Sequence, residues 1–299
     1  MTRINVLGEF GLINKLTKKI KLDKTVFKGV GDDAAVLNFS KNKYLLVTSD
    51  MLIEDVHFLK DVKPFYIGYK ALACSISDIA AMGGLPRYAV ISIGLPPNLE
   101  LKFVQDIYKG ILSLASKFKI NIVGGDTNKS DKIIIDVSLM GFVEKNNLVL
   151  RSGAKKGDSI FVSGTLGGSI YGKHLKFIPR IKESRWLVIN SKPTSMIDIS
   201  DGLVSDLGHI LEQSKVGAVI YEKLLPINKK AKSLNEVLYM GEDYELLFTA
   251  EPKSAKKLIK SKSNFTEIGK VVDESRGLSL IDKNCREVKL NPHKGFRHF

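Results

Sequence analysis

The apolar positions of this chain change period several times, and each change marks an element. Residues 44–48, 88–95, 120–123 and 133–143 are short β-branched or apolar runs, which predict strands. Between the second and third of these, Leu101, Val104, Tyr108, Ile111, Leu112, Ala115 and Phe118 recur at helical spacing with lysines outside the stripe, which predicts an amphipathic helix. A second helix is expected over 66–82, because its run stops at Gly83-Gly84 with Pro86 just beyond. From about residue 145 to 157 the texture turns polar and glycine-containing, and the pattern then starts afresh. Strands are expected at 159–162, 196–199, 218–221, 244–250 and 265–272, with a helix on Leu203, Leu207, Ile210 and Leu211. Strands and helices on both sides of the break predict an α+β chain of two α/β-type domains, 1–147 and 148–299.

Composition narrows the class. With 44% hydrophobic and 26% charged residues the chain is of ordinary globular type. No apolar run approaches the roughly 18 residues of a membrane span, and Arg3, Asn5, Glu9 and Asn14 interrupt the start, so a cytoplasmic protein without membrane partners is expected. Cys74 and Cys285 lie far apart without metal-ligand spacing and read as reduced thiols. The net charge of +14 favours anionic ligands, yet the lysines are spread along the whole chain and no RNA- or DNA-binding signature accompanies them. Nucleic acid is therefore not an expected partner.

The chemistry lies in the carboxylates. Asp32 and Asp33 follow glycines, Asp50 follows an apolar run, Asp126 follows Gly124-Gly125, and Asp198 and Asp201 flank Ser200. Each alone reads as a turn or helix cap. Together, at what look like strand ends beside small residues, they predict convergence on one cleft. Asp78 is the sharpest case, because its helical neighbours Cys74, Ser75, Ala81 and Met82 offer no cation, and a buried unpaired carboxylate is costly. Hard oxygen donors with few histidines suit magnesium and phosphate ligands. No GxxxxGK[ST] loop is present, and Gly164-Thr165-Leu166-Gly167-Gly168 is as much a turn as a phosphate cradle.

Read in order, the same segments resemble the thiamine-monophosphate kinase family, within the superfamily of aminoimidazole ribonucleotide synthetase. The resemblance runs through Gly8-Glu9-Phe10-Gly11, Gly31-Asp32-Asp33-Ala34-Ala35, Thr48-Ser49-Asp50, Val56-His57-Phe58 and Gly124-Gly125-Asp126-Thr127. It continues through Arg151-Ser152-Gly153, Asp198-Ile199-Ser200-Asp201-Gly202, Gly241-Glu242-Asp243-Tyr244-Glu245 and the final Gly295-Phe296-Arg297. It implies an N-terminal domain that forms a β-barrel across a homodimer interface and a C-terminal α/β sandwich domain. The implied activity is ATP-dependent phosphorylation of thiamine monophosphate to thiamine diphosphate. Magnesium would be held by Asp33, Thr48 or Ser49, Asp50, Asp78, Asp126, Asp198 and Asp201, with Asp50, Asp126 and Asp201 as the catalytic carboxylates. Gly125, Asp126, Arg151 and Ser200 match nucleotide positions, and His57, Glu242 and Phe296 match substrate positions. Tyr108 also matches a nucleotide position, although its place on the helical stripe favours core packing. Three features depart from the family: Asp55 and Met240 stand where glycine is usual, and the segment between Gly172 and Pro179 is short, a loss expected to touch the outer layer of the second domain. A selenophosphate-type relative would carry a reactive N-terminal cysteine, which is missing, and a purely basic binding protein would need no carboxylate cluster.

Overall fold

The computed structural model describes residues 4–261 and 264–295. Helix α1 (Ile4–Thr17), kinked at Gly8, leads into β1 (Val26–Lys28), β2 (Ala35–Asn38), β3 (Lys43–Ile53), α2 (Pro64–Ala81), β4 (Leu85–Leu95), α3 (Leu101–Phe118), β5 (Asn121–Lys129) and β6 (Ile134–Glu144). The strands form one sheet in the order β1-β2-β3-β6-β4-β5, antiparallel except where β4 runs beside β5. Along β6 every second residue is buried, so this sheet is covered on one face only. Helices α2 and α3 cover that face. Their contact depends on two glycines: a Cβ on Gly110 would fall 1.9 Å from the Phe65 carbonyl oxygen, and one on Gly68 would fall 1.9 Å from that of Ile107.

This close approach turns α3 away from the stripe expected of it. The buried residues are Ile107, Gly110, Ile111, Leu114 and Ala115, whereas Leu101 and Leu112 face solvent. Helix α2 stops where the glycines predict. The Gly83 amide donates to Ala80 O and the Gly84 amide to Ile79 O, both 2.9 Å, with Gly83 left-handed at φ 75°. These are the two bonds of a Schellman terminus, which absorbs carbonyls the helix leaves over.

The second sheet is built from β7 (Ser159–Ser163), α4 (Ile181–Asn190), β8 (Ser195–Asp198), α5 (Leu203–Ser214), β9 (Gly217–Tyr221), α6 (Leu234–Tyr239), β10 (Leu246–Ala250), α7 (Pro252–Lys260), β11 (Phe265–Val272), β12 (Leu278–Ile281) and β13 (Glu287–Lys289). Its strand order is β13-β12-β9-β11-β7-β10-β8. Every residue of β7, β8 and β10 is buried, because side chains on both faces enter cores. Ile160, Val162, Ile197 and Leu247 pack with α5, while Phe161, Met196 and Phe248 pack with α4 and α7. The first half is thus two-layered and the second three-layered, a mixed α/β pair of units as expected. The first sheet is open at edges β1 and β5, so the implied barrel is not a property of the single chain.

Candidate active site

Helix α2 organises the site with two polar stripes. Lys70, Cys74 and Ser77 share one side of the helix and reach the C-terminal half, while Ser75 and Asp78 reach β3. Ser77 Oγ donates to Asp198 Oδ2 at 2.5 Å, Cys74 Sγ donates to Tyr244 Oη at 3.1 Å, and Lys70 Nζ forms an ion pair with Glu242. On the other stripe Ser75 Oγ donates to Asp50 Oδ2 at 2.7 Å, and Asp78 Oδ2 accepts from Thr48 Oγ1 at 2.5 Å. The result is a convergence of Asp33, Asp78 and Asp198, whose nearest oxygens all lie within 4.8 Å of one another.

The electrostatics of this triad are unfavourable as it stands. Burial, and then the charges of Asp50, Asp198 and Asp33, push the Asp78 carboxyl well above the usual range. Burial with Asp33 beside it brings Asp198 up to about 7, and burial with Asp136 nearby brings Asp50 up to about 6. Among the described residues, Arg151 is the one cation within ion-pair reach of these groups. Its Nε and Nη2 donate to Asp33 Oδ1 at 3.2 and 2.7 Å, leaving Asp33 Oδ2 buried with no hydrogen-bond partner. An orphaned carboxylate oxygen in a group of three aspartates, whose ligand atoms are all hard oxygens, fits a divalent cation such as magnesium.

A cavity of about 720 Å³ opens beside the triad. Ser49, Asp50, His57, Asp78, Asp198, Ser200, Asp201 and Glu242 line it, so most of the expected site residues do meet. Asp33 and Thr48 are buried next to Asp78 without lining the cavity. Asp201 also groups with Asp206 and His209 within 4.8 Å, and Asp206 Oδ2 accepts the amides of Asp201 and Gly202, both at 3.1 Å. Phe296 lies outside the described residues.

Other expectations need correction. Asp50 and Asp126 do not follow strands but lie inside β3 and β5. The register then separates them: Asp50 stands in a row with Val137, Ile91 and Gly125, while Asp126 stands in the next row with Ser92, Asp136 and Met51. Side chains alternate across a sheet, so Asp126 projects from the open face and Asp50 from the helix-covered one. Asp126 is exposed, bonded only to its neighbours Thr127 and Asn128 among the described residues. Gly125 lies on the same edge strand and, like Arg151, does not line the cavity. Tyr108 packs against the N-terminal core, as its helical stripe predicts.

The departures from the family find physical explanations. Asp55 adopts φ 65°, the conformation glycine would supply, and pairs with Lys132 at 3.1 Å. Met240 has φ −87° and needs no glycine. The short segment is not confined to an outer layer: buried Phe177 stacks on Tyr244 at 4.0 Å and 6°, against the cavity wall. Lys173 and Arg180 on either side of it both bond Glu245 at 2.7 Å. Sequence reasoning missed Lys70, Ser77, Asp136 and Tyr244. For Lys70 a signal existed, a lysine four and seven residues before Cys74 and Ser77 in an otherwise uncharged stretch of the helix.

Comparison with known proteins is consistent along the chain. Residues 31–143 match the family of AIR synthase related protein, N-terminal domain, and residues 155–281 match AIR synthase related protein, C-terminal domain. The chain is 39% identical to the thiamine-monophosphate kinase of Buchnera aphidicola subsp. Schizaphis graminum, over 98% of this chain and 99% of the relative. It is 37% identical to that of Aquifex aeolicus, over 99% and 100%. A solved structure described as AaThiL complexed with AMPPCP and TMP aligns at a TM-score of 0.87 and 34% identity, covering 100% of this chain and 99% of that one.

Proposed function

The chain belongs to the thiamine-monophosphate kinase family of AIR synthase related proteins, and from that premise we propose how its site carries out the family's reaction. The enzyme transfers a phosphoryl group from ATP to thiamine monophosphate and forms thiamine diphosphate. The observation that carries the reading is the buried Asp33, Asp78 and Asp198 triad beside a cavity that also holds His57 and Glu242. Asp33, Asp50, Asp78 and Asp198 are assigned to hold magnesium, with Thr48, Ser49 and Asp201 beside them. When bound, the ions would supply charge neutralisation and alignment of phosphate oxygens.

The acceptor is a phosphate monoester, already ionised near neutral pH, so no general base is required. His57 agrees with this, since its Nδ1 accepts the Ile53 amide at 3.0 Å and is thereby committed to orienting the ring. The obstacle is repulsion between two polyanions, about 4 kcal/mol per pair of unit charges 4 Å apart at an effective dielectric of 20. A cluster of carboxylates that demands cations is suited to that obstacle. Transfer is direct and in line, with inversion at a chiral γ-phosphorus; retention would contradict it.

The remaining assignments form one proposal. Gly125, Asp126, Arg151 and Ser200 contact nucleotide, Phe296 joins His57 and Glu242 at the substrate, and the domains divide at 147/148. The open face of the first sheet presents Met51, Tyr88 and Phe142 together with Asp126. A second copy covering that face would close the barrel and enclose Asp126. A cytoplasmic location belongs to the same reading; among the described residues no helix is long and apolar enough to cross a membrane. Incubation of the purified protein with ATP, magnesium and thiamine monophosphate, read by mass, should yield thiamine diphosphate. Absence of that product, with the protein folded, would overturn the reading.

A further inference from the structure

Lys70 is completely buried, at 0% exposure, a rare state for lysine unless its charge is met. Its ammonium offers three donors. One goes to the His57 carbonyl oxygen at 2.7 Å, and another enters the ion pair with Glu242 Oε1. His57 belongs to the loop after β3 and Glu242 to the segment before β10, so a single nitrogen joins the two halves of the molecule across the cavity wall.

Glu242 is itself held in an unusual posture. Its backbone is left-handed at φ 64°, its amide donates to Ser200 O at 2.7 Å, and its carbonyl accepts Ser169 Oγ at 2.6 Å. With the backbone pinned and Oε1 taken by Lys70, the partly exposed side chain of Glu242 lines the cavity in a restrained position.

We infer that Lys70 is a positioning and specificity residue: it fixes Glu242 and the His57 loop so that the Glu242 carboxylate accepts from an N–H donor on the organic part of the acceptor. This rests on the assignment of Glu242 to the substrate. Acceptors that carry the phosphate but no such donor are discriminated against, because the restrained carboxylate would be left without that partner.

The test measures kcat and KM for K70M, E242Q, K70R and the double variant K70M/E242Q, varying thiamine monophosphate and ATP separately. K70M and E242Q should each raise KM for thiamine monophosphate about tenfold, the scale of one charged hydrogen bond. The KM for ATP and kcat should stay nearly constant, K70R should recover part of the loss, and the double variant should be no worse than either single one. If E242Q leaves KM unchanged, the substrate assignment fails and takes this role with it. If E242Q raises KM while K70M does not, or if the two effects multiply, the assignment stands and the role of Lys70 is overturned. The double variant removes both charges together and leaves no buried ion unpaired, so the comparison survives even if K70M alone folds poorly.

Discussion

Replacing Asp78 with asparagine keeps the shape of the side chain and an acceptor for Thr48 Oγ1, but removes one charge from the triad. At 4.8 Å, the outer limit of the triad, each pair of full charges repels by about 3.5 kcal/mol at an effective dielectric of 20. Asp78 faces two such partners, so about 7 kcal/mol would be at stake if all were ionised. The carboxyl has a cheaper option, which is to take up a proton. Its ordinary value is 3.8, and reaching neutral pH with the proton retained costs about 1.4 kcal/mol per unit, or about 4 kcal/mol. The smaller figure is the ceiling, and water in the cavity reduces it further. The sign follows from the raised pKa: the folded state binds a proton that the unfolded state has lost, so stability falls as pH rises above about 4. The gain from Asp78→Asn is therefore absent in acid and largest at neutral pH. In thermal unfolding with EDTA the variant should melt several degrees higher than the parent near pH 7, at about 2–4 °C per kcal/mol. Magnesium at about a hundred times its dissociation constant should stabilise the parent by about 2.7 kcal/mol and the variant by much less. A variant that melts lower in EDTA, or a parent indifferent to magnesium, would refute the metal assignment without any activity measurement.

Other outcomes follow from single contacts. Asp50→Asn should lower turnover by about 10² or more while circular dichroism stays unchanged, and near-normal turnover at saturating magnesium would exclude its role. Glu245→Gln leaves the partly exposed Arg180 and Lys173 facing a neutral group, with Arg180 still paired to Glu183, and urea titration should show a loss of about 1.5–3 kcal/mol. Gly110→Ala drives a methyl into the Phe65 carbonyl and should cost about 1–3 kcal/mol by the same measurement, whereas an unchanged midpoint would mean α2 and α3 separate freely.

Much of this molecule can be read from local chemistry. The α2 terminus follows from Gly83-Gly84, because only a residue at ease with positive φ completes those two bonds. Strands β7 and β10 show themselves by unbroken apolar stretches, residues 160–162 and 246–248, since both faces of their sheet are covered. Asp78 betrays itself by lacking a cation among its helical neighbours. Each of these depends on residues a few positions apart.

What lies further apart in sequence was decided by packing. The rotation of α3 toward Ile107 and Leu114 depends on how closely Gly110 meets Phe65, a contact that periodicity cannot encode. The separation of Asp50 from Asp126 depends on sheet register, where a shift of one residue exchanges the faces. The pairing of Lys70 with Glu242 joins residues 172 positions apart. Composition and spacing thus determined which side chains this protein has for binding cations and phosphates, whereas only the closure of two sheets around α2 decided which of them touch, because burial and register are properties of the assembled chain.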